Sequence, residues 1–388
     1  MFRQLFDRIA IASGFAALLL QSPAALAQIA VSANDGKGQL VNGVNTVPDT
    51  PVADNIAIID LGATPPKLMA EVQVPTSLVG PPQSVAISAD KSFALVTAAT
   101  KLDPKDKKKT APESKVSVID LKASPPKVVA TYDTGEGASG VAINRAGTLA
   151  LVANRIEGTI SVFTVSGKTL APAGKLDLGN PKSGPSAVSF TPDGKRALVT
   201  RDGDHKISVL NVDGDKVTHS KRDIHAGLKP YPLNITADGA YAVVTNIGMG
   251  GGDSDTMSLV DLKANPPRVV DTVSVGPTPE SLGVSPNGRY VAVTVMNGSN
   301  KPKDSPLYKD SGLVAIYRIA GGKLSKVTEG KVGTWCQGVG WRKDSKLIAV
   351  QCIVEQELML LSFNGRTLKR TGSIKVKGGP AGLAVAAD

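Results

Sequence analysis

Ser186-Ala187-Val188-Ser189-Phe190-Thr191-Pro192-Asp193-Gly194-Lys195-Arg196-Ala197-Leu198-Val199-Thr200 reads as strand, tight turn, strand. Small and apolar residues alternate on both sides of Asp193-Gly194. Asp-Gly between such runs is a strong hairpin signal, because glycine accepts the positive φ of the turn without steric cost. The unit recurs. Ser88-Ala89-Asp90-Lys91-Ser92 precedes Phe93-Ala94-Leu95-Val96-Thr97 in the same layout. Related turns stand at Arg145-Ala146-Gly147, Ala237-Asp238-Gly239, Pro286-Asn287-Gly288 and Lys343-Asp344-Ser345. The turns fall at positions 90, 146, 193, 238, 287, 344 and 388, in steps of 56, 47, 45, 49, 57 and 44 residues. A period in the forties, lengthened by insertions, predicts the blades of a β-propeller.

Each full repeat divides into four strand-like pieces. In the second repeat these are 140–144, 149–154, 159–165 and 170–178. The third pieces are the most alike, as in Val116-Ser117-Val118-Ile119-Asp120 and Ile207-Ser208-Val209-Leu210. Their β-branched and aliphatic residues, interleaved with small polar ones, suit sheets packed on neighbouring sheets. Pro65-Pro66, Pro125-Pro126 and Pro266-Pro267 recur between third and fourth pieces. Proline cannot continue a ladder, so these pairs mark exposed turns. The C-terminal run from Ala381 to Asp388 reads as a first strand, and the run from Gln28 to Ala33 reads as a second. The predicted fold is therefore all-β: seven four-stranded antiparallel blades, closed by one C-terminal strand and three N-terminal strands, in a single domain over 28–388.

The N-terminus has the pattern of an export signal. Arg3 and Arg8 precede an apolar run over 9–20, and Ala25-Leu26-Ala27 has the small-x-small form of a cleavage site. We expect a mature chain beginning at Gln28, periplasmic or secreted, with no membrane span after cleavage. The net charge of +10 becomes +9 without Arg3, Arg8 and Asp7. Part of the excess lies in Lys101-Leu102-Asp103-Pro104-Lys105-Asp106-Lys107-Lys108-Lys109, read as a solvated loop or as an attractor of anions. Cys336 and Cys352 stand at near mirror positions about the Asp344-Ser345 turn. In an exported chain this predicts a cross-strand disulfide, with a pair of buried thiols as the alternative. There is no Cys-x-x-Cys spacing, and His205, His219 and His225 lack metal-ligand spacing, so no metal or cofactor is expected.

Turns alternate between the two faces of an up-and-down blade. One face collects only tight turns, whereas the other collects the insertions 34–54, 98–115, 247–256 and 296–312. Long loops on a rigid scaffold are where function usually sits. The same face gathers polar residues at strand ends: Asn154, Arg155, Glu157, Arg201, His225, Tyr231, Asn246 and Glu280. Such a ring around the channel mouth suits an anionic ligand held by Arg forks and amides, while Asn and Asp at strand ends also simply make turns.

Pro192-Asp193-Gly194-Lys195-Arg196-Ala197-Leu198-Val199-Thr200 and Ala242-Val243-Val244-Thr245-Asn246 resemble the YVTN-type repeat of bacterial and archaeal propellers. The run from Gly158 to Gly167 also resembles the repeat of the seven-bladed lactonase family. The resemblance spans almost the whole mature chain and implies the fold far more than the activity, because these repeats encode strands and turns. With no nucleophile motif, metal set or cofactor box in the sequence, the first functional reading is a monomeric binding or scaffold propeller that uses the loop-rich face for a small anionic ligand or a protein partner. The alternative is a lactonase or cycloisomerase, in which Arg155 or Arg201 holds the substrate carboxylate and His225 or Glu157 moves a proton. Asn154, Tyr231, Asn246 and Glu280 would complete the ligand site. Nucleic-acid binding ranks last, because stacking platforms need aromatic residues and only 4% of the chain is aromatic.

Overall fold

The strand-turn-strand units close into a ring in the computed structural model, which describes residues 28–387. The expected export segment, 1–27, lies outside the described residues. Six consecutive four-stranded sheets follow the chain, and a seventh is ordered Gly379–Val385, Ile29–Asp35, Asn55–Asp60, Lys67–Gln73. Blades one to six begin at the innermost strands Val85–Ile87, Ala138–Ile143, Pro185–Phe190, Pro230–Ile235, Pro279–Val284 and Cys336–Trp341. All ladders are antiparallel, and no helix occurs among the described residues.

The turn chemistry explains the repeat. Thr191 donates its hydroxyl to Asp193 Oδ1 at 2.6 Å, and the Lys195 amide donates to the same oxygen at 3.0 Å. Gly194 then takes φ +68°, with near-identical values at Gly239 and Gly288. Where no glycine is present, Lys91 and Ser345 adopt that conformation themselves. Each blade packs an apolar face on the next. Leu149, Leu151 and Val162 of blade two meet Val188, Val199 and Leu210 of blade three in one buried cluster.

A second device ties blades together near the axis. In three blades a threonine of the second strand donates its side-chain hydroxyl to a carbonyl on the innermost strand of the next blade, whereas the matching Thr245 hydroxyl of blade four has no partner among the described residues. Thr200 donates to Tyr231 O at 2.6 Å and Thr294 to Gln337 O at 2.6 Å. Thr97 makes the same bond to Ser139 O. In blade six Gln351 replaces the threonine, and its amide donates to Ser32 Oγ at 2.7 Å and Gly382 O at 2.9 Å. That one side chain grips both terminal strands of the closing blade.

Two insertions differ from the expected loops. Strands Phe93–Leu102 and Thr110–Asp120 run on as a paired ribbon beyond their sheet, so most of 98–115 is ladder. Residues 34–54 contain the hairpin Gln39–Val41 with Val44–Thr46. Both follow from backbone pairing: a long ribbon satisfies its own N–H and C=O groups, which a bare loop would leave to solvent. Cys336 and Cys352 are register partners and form the disulfide.

Deleting residues 381–388 removes the strand that covers Ala30, Val31 and Ala33, all fully buried. We expect loss of cooperative unfolding, or a fall in melting temperature of about 4 °C or more by calorimetry, since in a domain of this size each kcal/mol moves the midpoint by roughly 1–2 °C. Replacing both Cys336 and Cys352 by alanine opens a link between residues 16 apart and should cost about 3 kcal/mol, read as a lower urea midpoint.

Candidate functional site

The innermost strands present one residue each, in repeat phase, where they enter the channel from the loop-rich face: Gln83, Ser139, Ser186, Tyr231, Glu280 and Gln337 in blades one to six. Gln83 reaches across the axis. Its amide donates to Leu233 O at 2.7 Å and accepts from Leu233 N at 3.1 Å, so the channel is bridged at that level. The residue that follows each second strand also turns inward, and this position holds Arg155 and Asp202 in blades two and three. The Arg155 fork meets Asp202 end-on, Nη1 to Oδ1 at 3.0 Å and Nη2 to Oδ2 at 2.5 Å. Nη1 also bonds Ser186 Oγ, which donates to Asp202 Oδ1 at 3.0 Å. The guanidinium lies 5.5 Å from the centre of the Tyr231 ring.

Glu280 lies beside this group and is buried, and its Oε2 has no hydrogen-bond partner among the described residues. Burial pushes its carboxyl up to about 7, and the nearby Arg155 charge offsets that only in part. Burial likewise drives the Tyr231 hydroxyl upward, against the pull of Arg155, and the hydroxyl accepts a bond from the Gly80 amide. Gly80 has φ +104°, and a side chain there would run into Ser139. Burial opposes the Arg155 charge, but Tyr231, Asp202 and Glu280 together keep its guanidinium protonated above the ordinary value.

Across the mouth the lining is apolar. Leu78, Met296, Trp335, Ile353 and Ala381 form one buried cluster, and Leu40 of the 39–46 hairpin packs on it. The base of that hairpin is pinned by Lys37, whose Nζ bonds Asp54 at 2.7 Å, Asp35 at 3.0 Å and Thr76 O at 2.6 Å. Clefts of about 300 and 520 Å³ flank Lys37, between this hairpin and the 93–120 ribbon. Neither cleft reaches the Arg155 group. The group's opening to solvent is the Arg155 side chain itself, a quarter exposed.

The structure brings together Arg155, Tyr231 and Glu280 of the residues singled out in the sequence. Asn154, Arg201 and Asn246 end their second strands one residue earlier and face outward. Asn154 bonds Thr159 and Ser161, and Asn246 bonds Thr256 and Ser258. Arg201 bonds Asp204, and Ser208 at 3.1 Å. Glu157 accepts from Lys175 at 2.7 Å and from the Glu136 amide at 2.9 Å; these bonds outweigh burial and hold it below the usual carboxylate range. His225 is exposed on the link between blades three and four. Ser186, Ser139 and Gln83 join the mouth without having been singled out in the sequence, and Asp202, one of the strand-end polar residues of this face, joins it without having been given a role. Their signal is repeat phase, two residues before the Val or Leu of each innermost strand, or one after the second strand.

The fold is that of the lactonase-like seven-bladed propellers. A Bacteroides uniformis protein described as a 6-phosphogluconolactonase matches with a TM-score of 0.72 at 17% identity, over 92% of this chain and 99% of that one. The periplasmic gluconolactonase PpgL of Pseudomonas aeruginosa matches with a TM-score of 0.69 at 15% identity, over 93% and 99%. The Kuenenia stuttgartiensis hydrazine synthase contains a chain that matches with a TM-score of 0.62 at 18% identity, over 80% and 90%. No protein-family model and no curated protein matches the sequence.

A raised carboxyl binds its proton more tightly in the folded state than in the unfolded chain. Glu280 therefore weakens the fold as pH climbs from about 4.5 to about 7, and the penalty is absent below that window. Glu280→Gln should flatten the melting temperature across this range and raise it above pH 7, as followed by circular dichroism.

Proposed function

We propose that the mouth binds a small hydroxylated lactone and hydrolyses it, with Glu280 as the proton-transfer group. The observation that carries this reading is a buried carboxyl, pushed to about 7, with one oxygen unpartnered beside a fixed guanidinium. A base with that affinity is half ionised at neutral pH, where general catalysis is most effective. Glu280 takes a proton from water as the oxygen attacks the lactone carbonyl. The negative charge formed on the carbonyl oxygen lies towards Arg155, whose orientation is set by Asp202. Collapse breaks the ring C–O bond, and Glu280 returns its proton to the departing oxygen, leaving a hydroxy acid. The charges of Arg155 and Asp202 cancel, which favours a neutral lactone over a free carboxylate as the entering species. The solved lactonase-like neighbours support the same chemistry class. The export-like N-terminus and the disulfide support a setting outside the cytoplasm.

A second reading, a binding or scaffold propeller, is favoured by the surface of the same face. Nine of the twelve exposed large apolar side chains lie there, including Val41, Val44, Leu228 and Met249. Apolar groups gathered in this way suit a protein partner.

Glucono-δ-lactone and related lactones, followed by proton release against the spontaneous rate, decide between them. Hydrolysis should rise with ionisation through pH about 7, and Glu280→Gln should lower kcat by about a hundredfold or more. A panel with no rate above background removes the hydrolase and leaves the binding reading.

A further inference from the structure

The chain's basic excess is not spread evenly over the molecule. Taking the thirteen tight turns with the strand residue on either side of each, one face carries 17 Lys and Arg, 9 Asp and no Glu. The same measure on the loops and links of the opposite face gives 16 basic and 17 acidic residues. One face is thus strongly positive and the other close to neutral, although the lysine-rich 101–109 run lies on the neutral one.

Within the positive face two aspartates pair with a cation, Asp120 with Lys168 at 2.5 Å and Asp344 with Arg342 at 2.6 Å, which leaves most of the basic side chains without an acidic partner on that face among the described residues. Its aspartates are built into turns: Asp193 accepts from Lys195 N at 3.0 Å, Asp238 from Ala240 N at 3.0 Å and Asp261 from Lys263 N at 2.8 Å. Lys195, Lys263, Arg268 and Lys343 are exposed on long side chains and extend beyond them. The turns are only two to six residues long between strands, so the face is level. None of the exposed large apolar side chains belongs to these turns, and the flanking Tyr241, Tyr290 and Trp341 are buried or half-buried. A nucleic-acid strand is held by a charged groove and stacking aromatics, and this face offers neither. A level array of cations matches a level array of anions.

We propose that the tight-turn face docks on a membrane surface of anionic phospholipid headgroups, through electrostatic contact without insertion. Each basic residue near such a surface multiplies affinity by about five, and the attraction decays within a Debye length. Docking in this sense leaves the loop-rich face and the mouth turned towards solvent, so it is independent of what the mouth does.

The test uses the chain beginning at Gln28, which holds the complete ring, and co-sedimentation with vesicles of phosphatidylcholine containing about 30% phosphatidylglycerol. One variant combines Lys195→Gln, Lys263→Gln, Arg268→Gln and Lys343→Gln. A control of equal charge combines Lys105→Gln, Lys107→Gln, Lys108→Gln and Lys303→Gln on the loop-rich face. Both must melt like the parent. The parent and the control should bind equally, and the turn-face variant should bind about a hundredfold or more weaker. Binding should vanish at about 1 M salt, and pure phosphatidylcholine should bind none. No binding of the parent to anionic vesicles at low salt overturns the proposal, as does equal loss in both variants. Binding to a DNA duplex in place of vesicles under the same conditions overturns it too.

Discussion

A side-chain hydroxyl donating to the neighbouring blade's innermost strand is the contact on which this molecule depends most. Thr97, Thr200 and Thr294 each bond the carbonyl of a mouth residue, at Ser139, Tyr231 and Gln337. The bond has two consequences. It satisfies a carbonyl that the four-stranded ladder leaves unpaired near the axis, where an orphan would be costly. It also sets the position of the residue whose side chain enters the channel. Blade packing alone is a sliding contact of apolar faces. The threonine bonds give three of the junctions a register, and where blade six meets the closing blade Gln351 does the same for strands from both ends of the chain.

No such bond precedes Glu280, since Thr245 Oγ1 is unpartnered among the described residues, and its carboxyl depends on the strand that carries it. A buried acid without a partner would normally draw in water or swing away. Here the strand that carries it begins at Pro279 and continues into a sealed sheet. Arg155 is committed to Asp202 and Ser186, so it approaches Glu280 without neutralising it. The result is a proton site near neutrality assembled from rigid elements, with a half-apolar, half-polar mouth above the plug that Gln83 makes across the axis.

The two faces divide the work because their backbones have different needs. A two- to six-residue turn uses Asp to catch its own amides and leaves adjoining positions to Lys and Arg, which tolerate full exposure. The long insertions of the other face must bury part of themselves, and they do so by forming a hairpin, a ribbon and an apolar cluster over the mouth. Charge asymmetry between the faces is a by-product of turn chemistry that the molecule can exploit.

The alternating strands, Asp-Gly turns and fixed period determined the blade count, the closing seam and the Cys336–Cys352 pair, because each rests on near-neighbour geometry with a period of two. The same logic located Arg155, Tyr231 and Glu280 on the loop-rich face. It did not separate them from Asn154, Arg201 and Asn246, because one step along a strand end reverses the direction of a side chain and the twist of the blade decides which direction is inward. Asp202 and Ser186 of blade three meet Arg155 of blade two, and Gln83 of blade one clamps Leu233 of blade four; only closure of the ring brings these groups within bonding distance. The proton affinity of Glu280 is likewise a tertiary property, since it comes from removal of water by neighbours far away in the chain.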